Sequence, residues 1–177
     1  MTVLFLRVCP RFRRLWPLSI LFFILPLSGC RDDRSTRVLR VVDGDTLQIL
    51  LPGKKTDTVR IIGIDAPETK DPRKPVQCFG PEASAAMHAL ADGKTITLET
   101  RPGDDRDKYH RLLRYASING RDIGAEMIEE GYARSYRLFP HPRTELYNRL
   151  ETEAKAAHRG LWAGCAKQSG GVHSSAN

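Results

Sequence analysis

Three short β-rich segments, joined by tight-turn pairs, constrain this chain more than any other feature. Val38 to Val42 runs into Asp43-Gly44, Leu47, Ile49 and Leu51 alternate before Pro52-Gly53, and Val59 to Ile64 follows. Neighbouring strands joined by connections this short pair antiparallel, because a parallel crossover takes a dozen or more residues. The three segments therefore predict an antiparallel meander. Alternation over Leu47–Leu51 gives a strand with one buried face, whereas Val59 to Ile64 is apolar enough to be buried. Val38 to Val42 alternates poorly but is rich in β-formers.

Downstream the period changes. Thr69 to Val76 contains two prolines and four charges, which predicts an irregular, exposed loop. A helix is expected from Pro81, with Ala83, Ala86, Met87 and Leu90 on one face and Asp92-Gly93 at its end. Thr95 to Leu98 reads as a fourth strand, Arg101 to His110 as a charged loop, and Leu112 to Ile118 as a fifth strand closed by Asn119-Gly120. Ile123, Met127 and Ile128 mark a second helix ended by Gly131. Leu146, Leu150, Ala154 and Ala157 mark a third, stopped at Arg159-Gly160. Five strands with helices inserted late predict an α+β domain over residues 36–165, a five-stranded OB-type Greek-key β-barrel with three α-helices. Oligonucleotide binding is one regular use of such a barrel. Residues 166–177 read as a disordered Ser/Gly-rich tail.

The net charge of +7 suggests a polyanion partner only until its distribution is considered. Arg7, Arg11, Arg13 and Arg14 fall within residues 1–30, which contain no acid. Removing those four from the 28 Lys and Arg leaves 24 against 21 Asp and Glu, an excess of three. The case for a nucleic-acid partner therefore rests on where the arginines stand. Residues 1–29 read as an export signal: three arginines, then an apolar run from Leu15 to Leu27 too short to span a bilayer comfortably. The run ends in Leu27-Ser28-Gly29-Cys30, which resembles a bacterial lipobox and implies lipidation of Cys30. Residues 30–35 would tether the domain to the membrane, with a plain secretory signal or an uncleaved helix as the alternatives. Cys9 leaves with the leader, so Cys78 and Cys165, 87 positions apart, remain as an even pair in an oxidising compartment. They are either bridged or two separate thiols.

Charged side chains cluster at strand ends. Asp43 and Asp45 flank Gly44, and turn chemistry accounts fully for one of them. Asp45 opens the next strand and should point inward from the barrel rim. Asp65 ends the third strand and Glu68 follows three residues on, against Pro67; a strand-end aspartate can also be a simple cap. Convergence of Asp45, Asp65 and Glu68 at one rim would require a cation among them. An all-oxygen set favours calcium or magnesium. Arg60 lies in an apolar strand and needs a partner, either one of these acids in an ion pair or a phosphate on its fork. In Asp107-Lys108-Tyr109-His110-Arg111, Arg111 offers the same fork and Tyr109 a flat face for a base, although the segment alone reads as a solvated loop.

Val41-Val42-Asp43-Gly44-Asp45-Thr46, Arg60 with Ile64-Asp65-Ala66-Pro67-Glu68-Thr69, and Asp107 to Arg111 together resemble the three signature blocks of the staphylococcal nuclease (thermonuclease) family. Thr69 to Lys74, Gly80-Pro81-Glu82-Ala83-Ser84 and Gly160-Leu161-Trp162 extend the resemblance over residues 36–162. It implies a monomeric, calcium-dependent (Ca2+) phosphodiesterase acting on DNA and RNA and leaving 3′-phosphates. Asp45, Asp65 and the Ala66 carbonyl would hold calcium, and Glu68 would orient or deprotonate water. Arg60 and Arg111 would grip the scissile phosphate, Lys108 and Tyr109 a neighbouring one. Tyr136, or else Phe139, would form an aromatic wall. Ala66 stands where the staphylococcal enzyme has threonine, and His110 where glycine is usual. If that position needs a positive φ, histidine is strained there. The competing readings are a non-catalytic OB module and an envelope lipoprotein with only a scaffolding role.

Overall fold

A computed structural model describes residues 35–165 apart from Asp71, Arg73, Lys74 and Asp104. The expected leader, the lipidation site Cys30, the tether up to residue 34 and the tail 166–177 lie outside the described residues. In chain order come β1 (Ser35–Asp43), β2 (Thr46–Leu50), β3 (Thr56–Ile61), β4 (Ile64–Asp65), α1 (Gly80–Ala91), β5 (Thr95–Glu99) and β6 (Leu112–Ile118). They are followed by β7 (Arg121–Asp122), α2 (Ile123–Glu129), β8 (Arg134–Ser135), α3 (Thr144–Ala156) and the one-turn helix α4 (Leu161–Gly164).

β1, β2 and β3 form the antiparallel meander, with Val38 opposite Ile49 and Leu47 opposite Val59. The poor alternation of β1 has a physical cause. Its register against β2 slips between Val38 and Arg40 and again between Val41 and Asp43. The first slip leaves Leu39 at the surface while Val38 and Val41 stay buried. β5 pairs antiparallel with β1, and β6 antiparallel with β5. β6 then runs parallel to β3, setting Val59 against Leu112, Arg60 against Leu113 and Ile61 against Arg114. This seam closes a five-stranded mixed barrel, and the α+β, OB-type expectation holds.

The third strand differs from its expected extent. β3 stops at Ile61, and the chain turns at Gly63, where φ is +80°. Ile64 and Asp65 then pair outside the barrel with Ser135 and Arg134 of β8. A Cβ at Gly63 would stand 2.4 Å from the His141 ring, so both the backbone angle and the close packing require glycine.

α1 packs on β1, and α2 on β6. Met87, Ala83 and Ala91 of α1 are fully buried with Val38, Leu47, Ile49, Val59, Ile61 and Ile96. Each large aliphatic side chain buried in this cluster contributes about 1.5–3 kcal/mol. Asp122 caps α2 by accepting from the amides of Gly124 (2.8 Å) and Ala125 (3.2 Å). The same carboxylate accepts from the Tyr147 hydroxyl (2.8 Å) and Arg143 (2.7 Å), joining α2 to α3. Glu151, nearly fully buried on α3, is held by Arg137 and Lys155. Cys78 and Cys165 are bridged, with Cα atoms 5.8 Å apart, which decides between the two readings of that pair.

Candidate active site

The seam that closes the barrel also assembles a charged rim. Pairing of β2 with β3 sets Thr46 opposite Arg60, and pairing of β3 with β6 brings Leu112 beside Val59. Arg111, immediately before Leu112, thereby reaches the same edge as Arg60 and Asp45. Hydrogen bonds connect them: Arg111 Nη1 lies 3.4 Å from Thr46 Oγ1, and that hydroxyl donates to Asp45 Oδ1 at 2.8 Å.

Asp45 is almost fully buried. Its Oδ2 accepts from the Ala66 amide at 3.1 Å and pairs with Arg60 Nη2 at 3.0 Å. The same Nη2 stands 3.7 Å from Asp65 Oδ1. Asp45 and Asp65 therefore share one neighbourhood, with a guanidinium between them. Arg60 spends Nη1 on the carbonyls of Ile61 (3.0 Å) and Ile64 (2.9 Å), where the chain leaves the barrel. Of its two expected partners, the structure supplies the acids.

Asp43 does more than the turn chemistry the sequence suggested. It accepts from the Gly44 amide (2.9 Å), as an Asp-Gly turn predicts, and also from Thr69 Oγ1 (2.8 Å). Burial raises its carboxyl above the ordinary range, and neighbouring Glu68 adds to the rise, against opposing hydrogen bonds from Thr69 and Gly44. Glu68 lies just after β4 in neither helix nor strand. Its Oε1 accepts from the Lys70 amide at 2.7 Å, and its main chain is bonded on both sides to Gln77.

Arg111 is fixed by Asp107, which takes its Nε at 2.7 Å and Nη2 at 2.6 Å and also accepts from its amide at 3.0 Å. Partial burial opposes charge on Asp107, but Arg111 and the amides of Arg111 and Tyr109 outweigh it and hold the carboxyl below its usual range. His110 has φ +63°, so the position does require a left-handed backbone, and histidine tolerates it better than a branched residue would. The Arg106 guanidinium supports this turn by donating to the His110 carbonyl at 2.6 Å. Tyr109 is 62 % exposed, with Lys108 Nζ and Arg111 at 5.1 and 5.4 Å from its ring centre.

A cleft of about 560 Å³ opens on this rim. Arg60, Asp65, Lys108, Tyr109 and Arg111 line it together with Tyr136 and Phe139. Those two rings sit 6.0 Å apart, so both candidates for the aromatic wall face the cleft. Asp45 and Ala66 are buried, and Glu68 is held beside Asp43, so these three do not line it. Arg101, Arg106, Leu138 and His141 do line it, and sequence reasoning missed them. Only the basic character of the 101–111 loop hinted at the two arginines.

Among the described residues no group of three His, Cys, Asp or Glu side chains converges closely enough to hold a metal ion. The donors present are two neighbouring carboxylates, Asp45 and Asp65, with the Ala66 peptide packed on the first. The chemistry of these all-oxygen donors suits a hard divalent cation and not zinc or copper, and such an ion would have to displace the Arg60 guanidinium that stands between them.

A mixed five-stranded barrel closed in this strand order, with helices packed on it, is a fold of the OB type. The chain matches the family described as staphylococcal nuclease homologue over residues 58–164, and it belongs to that family. It is 38 % identical over 127 residues to endonuclease YncB of Bacillus subtilis (strain 168), covering 70 % of this chain and 59 % of that protein. It is 34 % identical over 152 residues to an uncharacterized endonuclease of Haemophilus influenzae (85 % and 79 %), and 32 % identical over 128 residues to the thermonuclease of Staphylococcus hyicus (72 % and 73 %).

Proposed function

We propose that this chain is a calcium-dependent nuclease that hydrolyses phosphodiester bonds of DNA and RNA. The observation that supports the reading most is the convergence of Asp45, Asp65, Arg60 and Arg111 on one rim, tied together through Thr46. A phosphodiester resists hydrolysis because its anion repels nucleophiles and its pentacoordinate transition state gains charge. Arg60 Nη2, released from Asp45 and Asp65 when a cation takes its place, and Arg111, oriented by Asp107, would donate to the phosphate oxygens as that charge grows. Glu68 would accept the proton of the attacking water, an effect of about 10²–10⁴-fold. Calcium at Asp45, Asp65 and the Ala66 carbonyl would supply Lewis acidity. Lys108 and Tyr109 would hold a neighbouring phosphate, and Tyr136 with Phe139 would stack a base. Attack that expels the 5′ oxygen leaves a 3′-phosphate end.

The test is cleavage of plasmid DNA and of RNA by the purified chain, in calcium, magnesium or EGTA, beside Glu68→Gln and Arg111→Ala. Activity restored best by calcium and lost in both variants is expected. Full cleavage in EGTA overturns the metal assignment, and binding without cleavage returns the chain to a non-catalytic OB module. We further propose that the protein is exported as a monomer and anchored to the cell envelope through lipidated Cys30. The Leu27-Ser28-Gly29-Cys30 run supports this reading, and the disulfide suits an oxidising compartment. Metabolic labelling with radioactive palmitate, absent in Cys30→Ala, tests the anchor.

A further inference from the structure

We infer that Gln77 is a positioning residue for Glu68, and that the Cys78–Cys165 disulfide keeps Gln77 in place. The inference rests on Glu68 being the base. Glu68 belongs to no helix or strand, so ladder hydrogen bonds do not fix its backbone. Gln77 does so instead: its side-chain Oε1 accepts from the Glu68 amide at 3.1 Å, and its own amide donates to the Glu68 carbonyl at 2.9 Å. One residue thus meets both main-chain polar groups of Glu68 across an irregular loop.

Gln77 is held in turn. Its carbonyl accepts from the Gly80 amide at 3.0 Å, closing a turn in which Phe79 adopts φ +69° before α1 begins. Gly80 backs directly onto the strap formed by Pro67, Glu68 and Thr69. A Cβ there would stand 2.6 Å from Thr69 Cγ2 and 3.2 Å from the Glu68 carbonyl oxygen. Cys78, inside the turn, is bonded to Cys165 at the end of α4. α4 is docked on the body by the Leu161 amide, which donates to the Gly131 carbonyl at 2.9 Å. The Phe79 ring stacks on Tyr132, 5.9 Å away. A continuous path therefore runs from Glu68 through Gln77 and the disulfide to the end of α2. Thr69 is tied separately to Asp43, so loss of the Gln77 side chain loosens the strap without freeing the whole loop.

A base displaced by about an ångström can lose on the order of 10²-fold in rate. Loosening through one lost hydrogen bond is expected to be milder. Gln77→Ala should lower kcat about 10-fold and leave KM within twofold, with an unchanged circular dichroism spectrum. In the Glu68→Gln background the same substitution should lower the residual rate by less than twofold, because the group it positions is gone. An undiminished 10-fold loss in that background marks a general structural effect and overturns the inference. So does wild-type kcat in Gln77→Ala beside an inactive Glu68→Gln. Wild-type turnover in Glu68→Gln itself removes the assignment of the base, and this inference with it. Hydrogen exchange at the Glu68 amide gives a readout independent of activity. Relative to the amides of β2, it should quicken in Gln77→Ala and in the wild-type chain reduced with dithiothreitol, and an unchanged ratio on reduction overturns the role of the disulfide.

Discussion

Replacing Cys78 and Cys165 together by serine should destabilise the fold by an amount fixed mainly by loop length. The bridge closes a separation of 87 residues. In the chain-entropy account a loop of that size restricts the unfolded ensemble by about 4.5 kcal/mol at 25 °C, which is a ceiling. In the folded state the loss is confined to the turn around Gln77, because α4 keeps its Leu161–Gly131 hydrogen bond and Phe79 keeps its stack on Tyr132. Measured effects fall below the entropic ceiling, so a loss of about 2–4 kcal/mol is expected. For about 130 ordered residues, with an unfolding entropy near 2.1 cal/mol/K each, that loss lowers Tm by roughly 7–15 °C. Urea unfolding followed by fluorescence and circular dichroism gives the measurement, with the oxidised wild type, the same protein in dithiothreitol and the double variant side by side. The slope m should also rise in the reduced forms, since an uncrosslinked chain exposes more surface on unfolding. A midpoint that stays put on reduction would show that the bridge adds nothing, and the loop-entropy reasoning would fail.

Gly63→Ala should cost about 2–4 kcal/mol, because alanine is strained at φ +80° and its Cβ meets the His141 ring; an unchanged urea midpoint contradicts this. His110→Gly should shift stability by less than about 1 kcal/mol, as relief of left-handed strain offsets the greater freedom of the unfolded glycine, whereas His110→Val should lower Tm clearly. Hydrogen bonding from Arg106 holds the folded Asp57 carboxyl below its usual range, ahead of its partial burial, which acts the other way. Its stabilising effect is therefore present above the unfolded value of about 3.9 and is lost as pH falls through the lower folded value. The stability gap between wild type and Asp57→Asn should be constant above about pH 5 and close below it, and a gap that widens in acid refutes the sign.

Elements announced by local chemistry were legible in the sequence. Asp43-Gly44 and Asn119-Gly120 mark turns wherever they occur, and the apolar spacing of Ala83, Met87 and Leu90 allows only a helix. Features that depend on a neighbour distant in the chain were not legible. The slip at Leu39 arises from its register against β2. The need for glycine at position 63, just past β3, comes from His141, which leaves no space there for a side chain. At the site, the acids and arginines carried a recognisable pattern, and the structure brings Asp45, Asp65, Arg60 and Arg111 together. What each guanidinium spends its donors on could not be read in advance. Arg60 is committed to two carbonyls that face it only because the strand ends where it does. Gln77 carries no signal at all, since a glutamine nine positions from Glu68 across a proline-containing loop follows no period.

The parallel seam between β3 and β6 has a consequence for the order of assembly. It joins positions 59–61 to positions 112–114, about fifty residues apart, whereas the meander joins near neighbours. Contacts that span so much chain form late, after local hairpins are in place. Arg60 belongs to the early half and Arg111 to the late one, so an incompletely folded chain carries its two guanidiniums on separate pieces. The chemistry attributed to this rim is thereby withheld until that long-range pairing is made, and no separate inhibitory segment is needed to keep a half-made molecule inert.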